Sequence, residues 1–468
     1  MIVEGWLQRA AAARPGGLAL QTPHGSLSYS ELLADASAGA AELAARGAKP
    51  GQRVAIALPP GLAFARALHA CLLLGAVAVP VDLRLAPAER ERIAAGAAVC
   101  LEEPLSTEGH PPPAPRASRP PGATGADRYV ATRHDLNATA VVIHTSGTTS
   151  APKPIELTYG NFLWSALGSA VALGLDPGER WLCALPLAHV GGLSILLRST
   201  IYATTAVVHE RFDTDAVLDA LREQDVTLVS VVATTLARLL DAGLERPPAL
   251  RCALTGGGPV PPALVSRARE AGVPISLTYG LTEACSQVTT TPVTAINGVP
   301  ARSARPTDPA RPLHAGPPLF CTRVQIGTDG EIMVAGPTVA PGSPDGEGWL
   351  RTGDLGVIDE HGRLQVTGRM ADTIVSGGEN VAPAEVEAVL EAHPQVLEAA
   401  VVGRPDDQWG EAVTAWVVAR PGIEVDFTSL MAHCARMLAP YKAPKDYMLA
   451  DEPLPRTPSG KLLRRELQ

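Results

Sequence analysis

The feature that most constrains the fold is an alternation of helical and strand-like patterns that starts near the N-terminus. Apolar residues recur at helical spacing over residues 29–46, with Ser28 in position to cap that helix. The run VAIAL within 52–58 then predicts a buried strand. Another helical stretch leads into a second such strand, AVAVPVD, at 76–82. This alternation predicts βαβ units and a largely parallel sheet.

Composition excludes several classes of protein. Of 468 residues, 46% are hydrophobic and 19% are charged, which is typical of a folded protein with a sizeable core. The formal net charge of −9 gives no basic surface for nucleic acid or anionic lipid. The most apolar stretch, 70–81, is too short to span a bilayer, and the N-terminus has no signal-peptide pattern. The seven cysteines form no C-x-x-C pair, so we expect a reducing, cytoplasmic setting.

The chain divides into two predicted domains. A Pro-rich stretch at 102–127 predicts an exposed connector inside the larger one. The last hundred residues predict a small α+β unit, with a helix that begins at Pro383, two strands, and a helix over 427–438. We therefore expect an N-terminal domain at 1–368 and a C-terminal domain at 369–468.

Four short motifs carry groups suited to nucleotide chemistry. The most informative is HTSGTTSAPK at 144–153, a hydroxyl-rich loop after a strand, whose backbone N–H groups and lysine suit phosphates. It is not a Walker P-loop, because G-x-x-x-x-G-K-[ST] is absent from the chain. The others are YGLTE at 279–283, GWLRTGD at 348–354 and PRTPSGK at 455–461. Taken singly, each of these three has an ordinary explanation as a turn or a solvated loop.

In this order, the four motifs resemble the adenylate-forming superfamily of acyl-CoA synthetases, luciferases and peptide-synthetase adenylation domains. The resemblance covers essentially the whole chain and extends to LSYSEL at 27–32, PLAH at 186–189, GEIMVAGP at 330–337 and SGGENVAPAE at 376–385. It implies an α/β fold: a large multi-sheet N-terminal domain and a small, mobile C-terminal α+β domain. It also implies ATP, Mg²⁺ and coenzyme A as ligands, and a small carboxylic acid as the substrate.

The resemblance assigns roles residue by residue. The groups that would grip the ATP phosphates are Thr145, Ser146, Gly147, Thr148, Thr149 and Lys153. Those that would bind adenine and ribose are Gly256, Gly257, Tyr279, Asp354 and Arg369. The groups implied for catalysis are Thr282 at the α-phosphate, Glu283 at the metal, Lys461 during adenylation, and His189. Gly377 and Gly378 would face the pantetheine channel after a rotation of the small domain.

Within the superfamily, the segments at 158–166, 185–198 and 256–287 are most similar to the 2-succinylbenzoate–CoA ligases of menaquinone synthesis. That substrate has two carboxylates, of which one stays free. Arg198 is at a position that is usually basic in those ligases and is our candidate partner for the free carboxylate. His189 resembles the residue that gates the acyl pocket. The alternatives are a ligase for another acid, an enzyme that loads a carrier protein, and a nucleotide-binding homologue without activity. Sequence leaves homo-oligomerisation open.

The chain departs from the superfamily pattern at three positions. Ser150 and Pro154 stand where glycines are usual, and Pro154 removes a backbone donor. This predicts a weaker grip on ATP. At the expected hinge, Arg369-Met370-Ala371 lacks the usual polar residue at its third position.

Overall fold

The computed structural model describes residues 1–106, 133–145, 153–293, 313–406, 408–456 and 462–467. Residues 107–127 of the predicted connector, residues 146–152 of the hydroxyl-rich loop, and Lys461 lie outside the described residues. In the part described, no helix is long and apolar enough to cross a membrane.

The elements of the first 293 residues alternate between strand and helix. The strands are β1 (Ile2–Glu4), β2 (Leu18–Thr22), β3 (Gly25–Ser28), β4 (Arg53–Ile56), β5 (Val77–Pro80), β6 (Val99–Leu101), β7 (Arg133–Asp135), β8 (Thr139–Thr145), β9 (Lys153–Thr158), β10 (Arg180–Cys183), β11 (Thr205–Val208), β12 (Leu228–Val231), β13 (Cys252–Thr255), β14 (Ile275–Leu281) and β15 (Ser286–Thr290). The helices are α1 (Trp6–Ala13), α2 (Tyr29–Ala45), α3 (Leu62–Leu74), α4 (Pro87–Ala94), α5 (Tyr159–Leu173), α6 (Val190–Tyr202), α7 (Thr214–Glu223), α8 (Ala233–Asp241) and α9 (Pro262–Glu270).

The remaining elements are mostly strands. These are β16 (Arg323–Ile326), β17 (Glu331–Ala335), β18 (Leu350–Ile358), β19 (Leu364–Arg369), β20 (Ile374–Ser376), β21 (Glu379–Val381), β22 (Val396–Asp406), β23 (Gly410–Ala419) and β24 (Asp446–Leu449), with helices α10 (Pro383–Glu391) and α11 (Phe427–Met437). Three 3-10 turns matter below: Thr282–Ala284, Met370–Asp372 and Arg464–Glu466.

Two α/β sheets form the large part of the molecule. One has eight strands in the order β15-β14-β13-β12-β10-β11-β2-β3, and the other has five in the order β6-β4-β5-β8-β9. Pairing is parallel in the centre of each, and the antiparallel pairs β14–β15, β2–β3 and β8–β9 lie at the edges. The predicted α/β class is therefore confirmed. A shared core of α1–α3, α5, α6 and strands of both sheets joins the two layers.

Local sequence signals explain where the helices begin. Ser28 caps α2 in a reciprocal box, because its hydroxyl accepts from the Glu31 N–H while the Glu31 carboxylate accepts from the Ser28 N–H at 2.7 Å. Thr158 and Asn161 repeat this arrangement at α5. These caps hold the helix starts at the ends of β3 and β9.

The last third of the chain contains two smaller sheets, in which all pairs are antiparallel except β23–β24 among the described strands. Strands β16–β19 form a four-stranded sheet that packs against the β14–β15 hairpin. Beyond it, β20–β24 form a five-stranded sheet with its own core against α10 and α11. The predicted small α+β unit corresponds to this second sheet. The boundary between residues 368 and 369 stays our proposal.

Candidate active site

The β14–β15 hairpin presents the second motif. The run PISLT at 274–278 predicts a strand that ends before Tyr279. This is wrong, because Tyr279 and Gly280 lie inside β14 and pair with β15. A Cβ on Gly280 would come within 1.7 Å of the Ser286 carbonyl oxygen, so only glycine fits there. At the hairpin tip, Cys285 adopts a left-handed backbone with φ 53°. The tight hairpin, and not a loose loop, therefore positions these side chains.

Tyr279, Asp354 and Arg369 form one hydrogen-bonded chain. The Tyr279 hydroxyl donates to Asp354 Oδ2 at 2.9 Å, and Arg369 Nε donates to Asp354 Oδ1 at 2.8 Å. Register explains the second contact, because Asp354 on β18 pairs directly with Arg369 on β19. Burial, and then the Asp354 charge, raises the pKa of Tyr279 far above its usual range, so the phenol stays a donor. Each carboxylate oxygen keeps further acceptor capacity for a diol.

Gly256 and Gly257 follow β13 and lie beside the same hairpin. A Cβ on Gly256 would be 2.6 Å from Thr278 Cγ2 and 2.7 Å from the Thr278 carbonyl oxygen. Gly257 has φ +81°, which favours glycine. Because β13 and β14 pair in parallel, Gly256 lies next to Thr278, the residue before Tyr279, and Gly257 follows Gly256 directly in the chain. The structure thus brings together the groups predicted for adenine and ribose.

Thr282 and Glu283 occupy the 3-10 turn at the hairpin tip, and both are half-buried. The turn is fixed by two backbone bonds: Cys285 N donates to the Thr282 carbonyl at 3.0 Å, and Ala340 N donates to the Glu283 carbonyl at 2.7 Å. Among the described residues, no group of three or more His, Cys, Asp or Glu side chains could hold a metal ion. One carboxylate still fits Mg²⁺, which is usually held by one or two carboxylates together with substrate phosphates.

The two ends of the hydroxyl-rich loop lie close together. Thr145 ends β8 and pairs with Lys153 at the start of β9, which packs against the 282–284 turn. Ser146, Gly147, Thr148, Thr149 and Ser150 lie outside the described residues. Pro154 is inside β9, opposite His144, and β9 is an edge strand that tolerates proline. The N–H that Pro154 lacks therefore falls on an edge strand. Of the two substitutions that predict weaker ATP binding, Pro154 no longer supports that prediction.

His189 and Arg198 lie at different positions along α6. Arg198 lies eight residues after Val190, the first residue of the helix, which is about 12 Å along its axis. His189 precedes the helix, and its Nε2 is 3.4 Å from Asp82 Oδ2 and 3.2 Å from Arg84 Nη2. Burial opposes ionisation of Asp82, but hydrogen bonds from Arg84 and His189 hold its pKa well below the usual range. The structure therefore does not bring the two predicted acyl-pocket residues together.

Arg198 is a buried cation. It is 3% exposed, its Nη2 donates to Ser165 Oγ at 2.9 Å, and its guanidinium lies 5.7 Å from the centroid of the Trp181 ring. Ser165 Oγ in turn donates to the Cys285 carbonyl at 2.7 Å, which links α6 to the hairpin tip. Within the described residues no carboxylate pairs with Arg198, its Nε has no hydrogen-bond partner, and burial lowers its pKa. An anion would complete this environment.

Gly377 and Gly378 form the turn between β20 and β21. Both have positive φ, 60° and 85°, which is typical of a two-residue hairpin turn. Gly377 N donates to the Trp409 carbonyl at 2.8 Å, and a Cβ on Gly377 would lie 3.0 Å from the Trp409 ring. The indole thus backs a turn that has no side chains of its own, and a narrow ligand could approach its backbone.

Sequence reasoning missed several supporting residues. Asp82 and Arg84 hold His189, and Ser165 links Arg198 to the hairpin. Asp82 had a signal, because it follows β5 at the carboxyl end of a parallel strand, where such sheets place polar site residues. Ser165 had none, since a serine inside a helix is unremarkable before tertiary contacts are known.

Taken together, the parallel sheets, the hairpin site and the small α+β unit define a nucleotide-binding enzyme of two parts. The family model described as AMP-binding enzyme matches residues 7–343, and the model described as AMP-binding enzyme C-terminal domain matches 385–461. The chain belongs to the AMP-binding enzyme family, and the resemblance to the adenylate-forming superfamily is confirmed.

The chain is similar along its whole length to ligases of known name. The 2-succinylbenzoate–CoA ligase of Bacillus pumilus (strain SAFR-032) is 38% identical over 99% of this chain and 97% of that protein. The o-succinylbenzoate CoA synthetase of Bacillus subtilis, in complex with the acyl-adenylate intermediate OSB-AMP, is 35% identical with a TM-score of 0.86, covering 100% and 98% of the two chains. The same enzyme with ATP and magnesium ion is 34% identical with a TM-score of 0.84, covering 100% of both.

Proposed function

We propose that this protein is an ATP-dependent, AMP-forming ligase that converts 2-succinylbenzoate to 2-succinylbenzoyl-CoA through an acyl-AMP intermediate. Full-length similarity to ligases of that name supports the reaction. The observation that carries the choice of acid is Arg198, a buried cation without a carboxylate partner among the described residues. A diacid that activates one carboxylate keeps a second one to fill such a site.

In the first step, a carboxylate oxygen of the acid attacks the α-phosphorus of ATP. The bond from that phosphorus to the bridging oxygen breaks, and pyrophosphate leaves with the electron pair. The protein holds the nucleoside of ATP in one position, so that the α-phosphorus stays oriented for attack by the carboxylate. Tyr279, Gly256 and Gly257 line the place for adenine, while Asp354, fixed by Arg369, accepts from the ribose hydroxyls.

Charge on the phosphates needs partners as pyrophosphate leaves. Thr282, in the turn at the hairpin tip, would donate to the α-phosphate, and Thr145 and Lys153 flank the loop proposed to hold the β- and γ-phosphates. Glu283 would hold magnesium, which neutralises phosphate charge when bound. Lys461, outside the described residues, is the proposed cation for the developing charge on the carboxylate and α-phosphate, where a preorganised charge lowers the barrier most.

In the second step, the thiolate of coenzyme A attacks the acyl carbon, and AMP leaves with the electrons of the anhydride bond. Gly377 and Gly378, backed by Trp409, give the pantetheine arm a turn without side chains to pass. The two steps use different faces of the small domain, so a rotation of that domain between them is part of the proposal.

His189 and Arg198 are proposed to act on the acid substrate at two different places. Arg198 pairs with the free carboxylate. His189, held by Asp82 and Arg84, stands just before the start of the same helix, where it would border the entry to the acyl pocket. We further propose a cytoplasmic location, because ATP and coenzyme A are available there.

The test is an assay of pyrophosphate, AMP and acyl-CoA formation over a panel of acids. The panel contains 2-succinylbenzoate, benzoate, and the analogue in which the free carboxylate is an amide. We expect AMP, pyrophosphate and acyl-CoA with 2-succinylbenzoate and little with the amide. ADP and phosphate in place of AMP would exclude the adenylate mechanism. Preference for a monoacid would replace 2-succinylbenzoate by another substrate, and transfer only to a carrier protein would replace coenzyme A.

A further inference from the structure

Arg464 joins three separate parts of the C-terminal region. Its Nη2 donates to both oxygens of Glu387 on α10, at 2.9 and 2.8 Å, and its Nη1 donates to Asp372 Oδ2 at 3.0 Å. Asp372 ends the 3-10 turn that leaves β19. Arg464 itself lies three residues beyond Lys461. None of these three ion-paired residues takes part in the chemistry proposed above.

The turn at 370–372 carries an ion pair at each end, and the two pairs point to different parts of the molecule. Arg369, just before the turn, binds Asp354 of the ribose site. Asp372, at its end, binds Arg464 of the C-terminal segment. Only Met370 and Ala371 separate the two charged residues. Because ion pairs hold both Arg369 and Asp372, the position of one end of this short turn constrains the position of the other.

The described residues on both sides of 457–461 are also held in place. Arg456 and Leu462 form an isolated antiparallel bridge, and Leu463 N donates to the Pro455 carbonyl at 2.8 Å. The Leu467 carbonyl accepts from the Trp416 indole N–H at 3.0 Å. The residues on either side of 457–461 are therefore anchored to the small domain, and Arg464 is what connects that anchor to the turn.

We propose that Asp372 is a positioning residue for adenylation: its ion pair with Arg464 aligns the segment that bears Lys461 with the ribose site at the other end of the 370–372 turn. This rests on the proposed role of Lys461. Ala371 stands at the hinge position where a polar residue is usual. The ion pair of Asp372 with Arg464 supplies a polar contact one residue later. Asp372 acts through Lys461 and does not touch the substrate.

Asp372 can be tested without unfolding the domain. Glu387 is the more buried partner, takes two bonds from Arg464, and also accepts from Val401 N at 2.8 Å. Arg464 therefore keeps its main partner in Asp372→Asn. A matched control is Asp359→Asn, which makes the same change in an Asp–Arg pair, to Arg363, at the far turn of the β18–β19 hairpin.

The experiment is single-turnover kinetics with Mg·ATP and 2-succinylbenzoate, and separately with pre-made acyl-AMP and coenzyme A. We expect Asp372→Asn to slow adenylation about tenfold, or ~1.4 kcal/mol, with thioester formation and the melting temperature nearly unchanged. Asp372→Glu should restore much of the rate, and Asp359→Asn should lose none. An unchanged adenylation rate in Asp372→Asn, or an equal slowing of both steps, overturns the proposal.

A double-mutant cycle with Lys461→Ala decides whether Asp372 acts through the lysine. Lys461→Ala alone should slow adenylation by roughly 10²-fold and leave the second step intact. In that background, Asp372→Asn should have no further effect. A further tenfold loss would overturn the positioning role while leaving Lys461 catalytic. No effect of Lys461→Ala would overturn both roles, yet the formation of acyl-CoA would still show that the ligase reaction stands.

Discussion

Two arginines, one in each part of the molecule, have opposite surroundings. Arg464 in the small domain is half-buried and has carboxylates on two sides, whereas Arg198 in the large domain is buried and no carboxylate in the described part of the chain pairs with it. In each, the Nε atom is buried without a hydrogen-bond partner. A buried charge is tolerated when the chain itself compensates it, and otherwise a ligand must do so. The comparison therefore separates a cation that organises the fold from one that awaits an anion.

Replacing Arg198 should give the largest effect on activity. In Arg198→Met the volume is kept and the charge is lost, so use of 2-succinylbenzoate should weaken by about 2–5 kcal/mol in kcat/KM. The amide analogue, which has no free carboxylate, should be used about equally by both proteins. The ligand-free variant should melt at the same or a higher temperature, because an uncompensated buried charge has been removed. Equal losses for both acids would show that Arg198 only supports the fold.

The same substitution at Arg464 should have the opposite effect on stability. Arg464→Met leaves the Glu387 carboxylate buried without its partner, which we expect to destabilise the small domain by about 3 kcal/mol. Hydrogen exchange of amides in α10 and β22 measures this directly, while amides of β12 and β13 serve as the internal control. If the Arg464 and Arg198 variants shift stability in the same direction, the contrast between the two arginines is wrong.

A substitution at Asp354 tests whether the ribose site needs the charge of this carboxylate or only its position opposite Arg369. Asp354→Asn keeps the shape but loses the charge that Arg369 and the Tyr279 hydroxyl contact. We expect kcat/KM for ATP to fall about tenfold, or ~1.4 kcal/mol, with little change for the acid. Tyr279→Phe, which removes one donor, should lose less. Should the acid and ATP suffer alike, Asp354 is acting on the whole site and not on the nucleoside.

The smallest effect concerns Glu391, a half-buried carboxyl at the end of α10 that accepts a long hydrogen bond from Ala399 N, at 3.4 Å. Burial is the largest cause that raises the pKa of Glu391 to about 7. The negative charges of Glu387 and Glu398 also raise it, and the positive charge of Arg456 lowers it. A raised carboxyl pKa means that the folded state holds the proton more tightly. Its stabilising contribution is therefore present below about pH 4.5 and is lost as the pH rises through 7.

Glu391→Gln should remove that pH dependence. Because the side chain is only partly buried, we expect the variant to gain about 1 kcal/mol over the wild type at pH 8 and nothing at pH 5. Hydrogen exchange in α10 at the two pH values is the measurement. A gain at pH 5 as large as that at pH 8 would show that packing, and not ionisation, distinguishes the two side chains.

Much of the fold follows from local sequence. The cap at Ser28, the four-residue buried strand β5 and the helix that begins at Pro383 can each be recognised from a few consecutive residues, and the structure confirms them. The order of motifs also indicated the family and its ligands. These signals work because capping, hydrophobic periodicity and glycine conformations are short-range properties.

What only the tertiary structure decided is how charges are partnered. Sequence placed Arg198 and His189 on one segment, but the structure gives them different partners: Arg198 is buried inside α6 against Ser165, and His189 precedes the helix beside Arg84. It marked Asp354 as a turn residue or ribose ligand, and strand register supplied Arg369 beside it. Asp372 and Arg464 are 92 residues apart. A side chain's charge is readable from the sequence, but the environment that sets its role is made by residues distant along the chain, and folding alone brings them together.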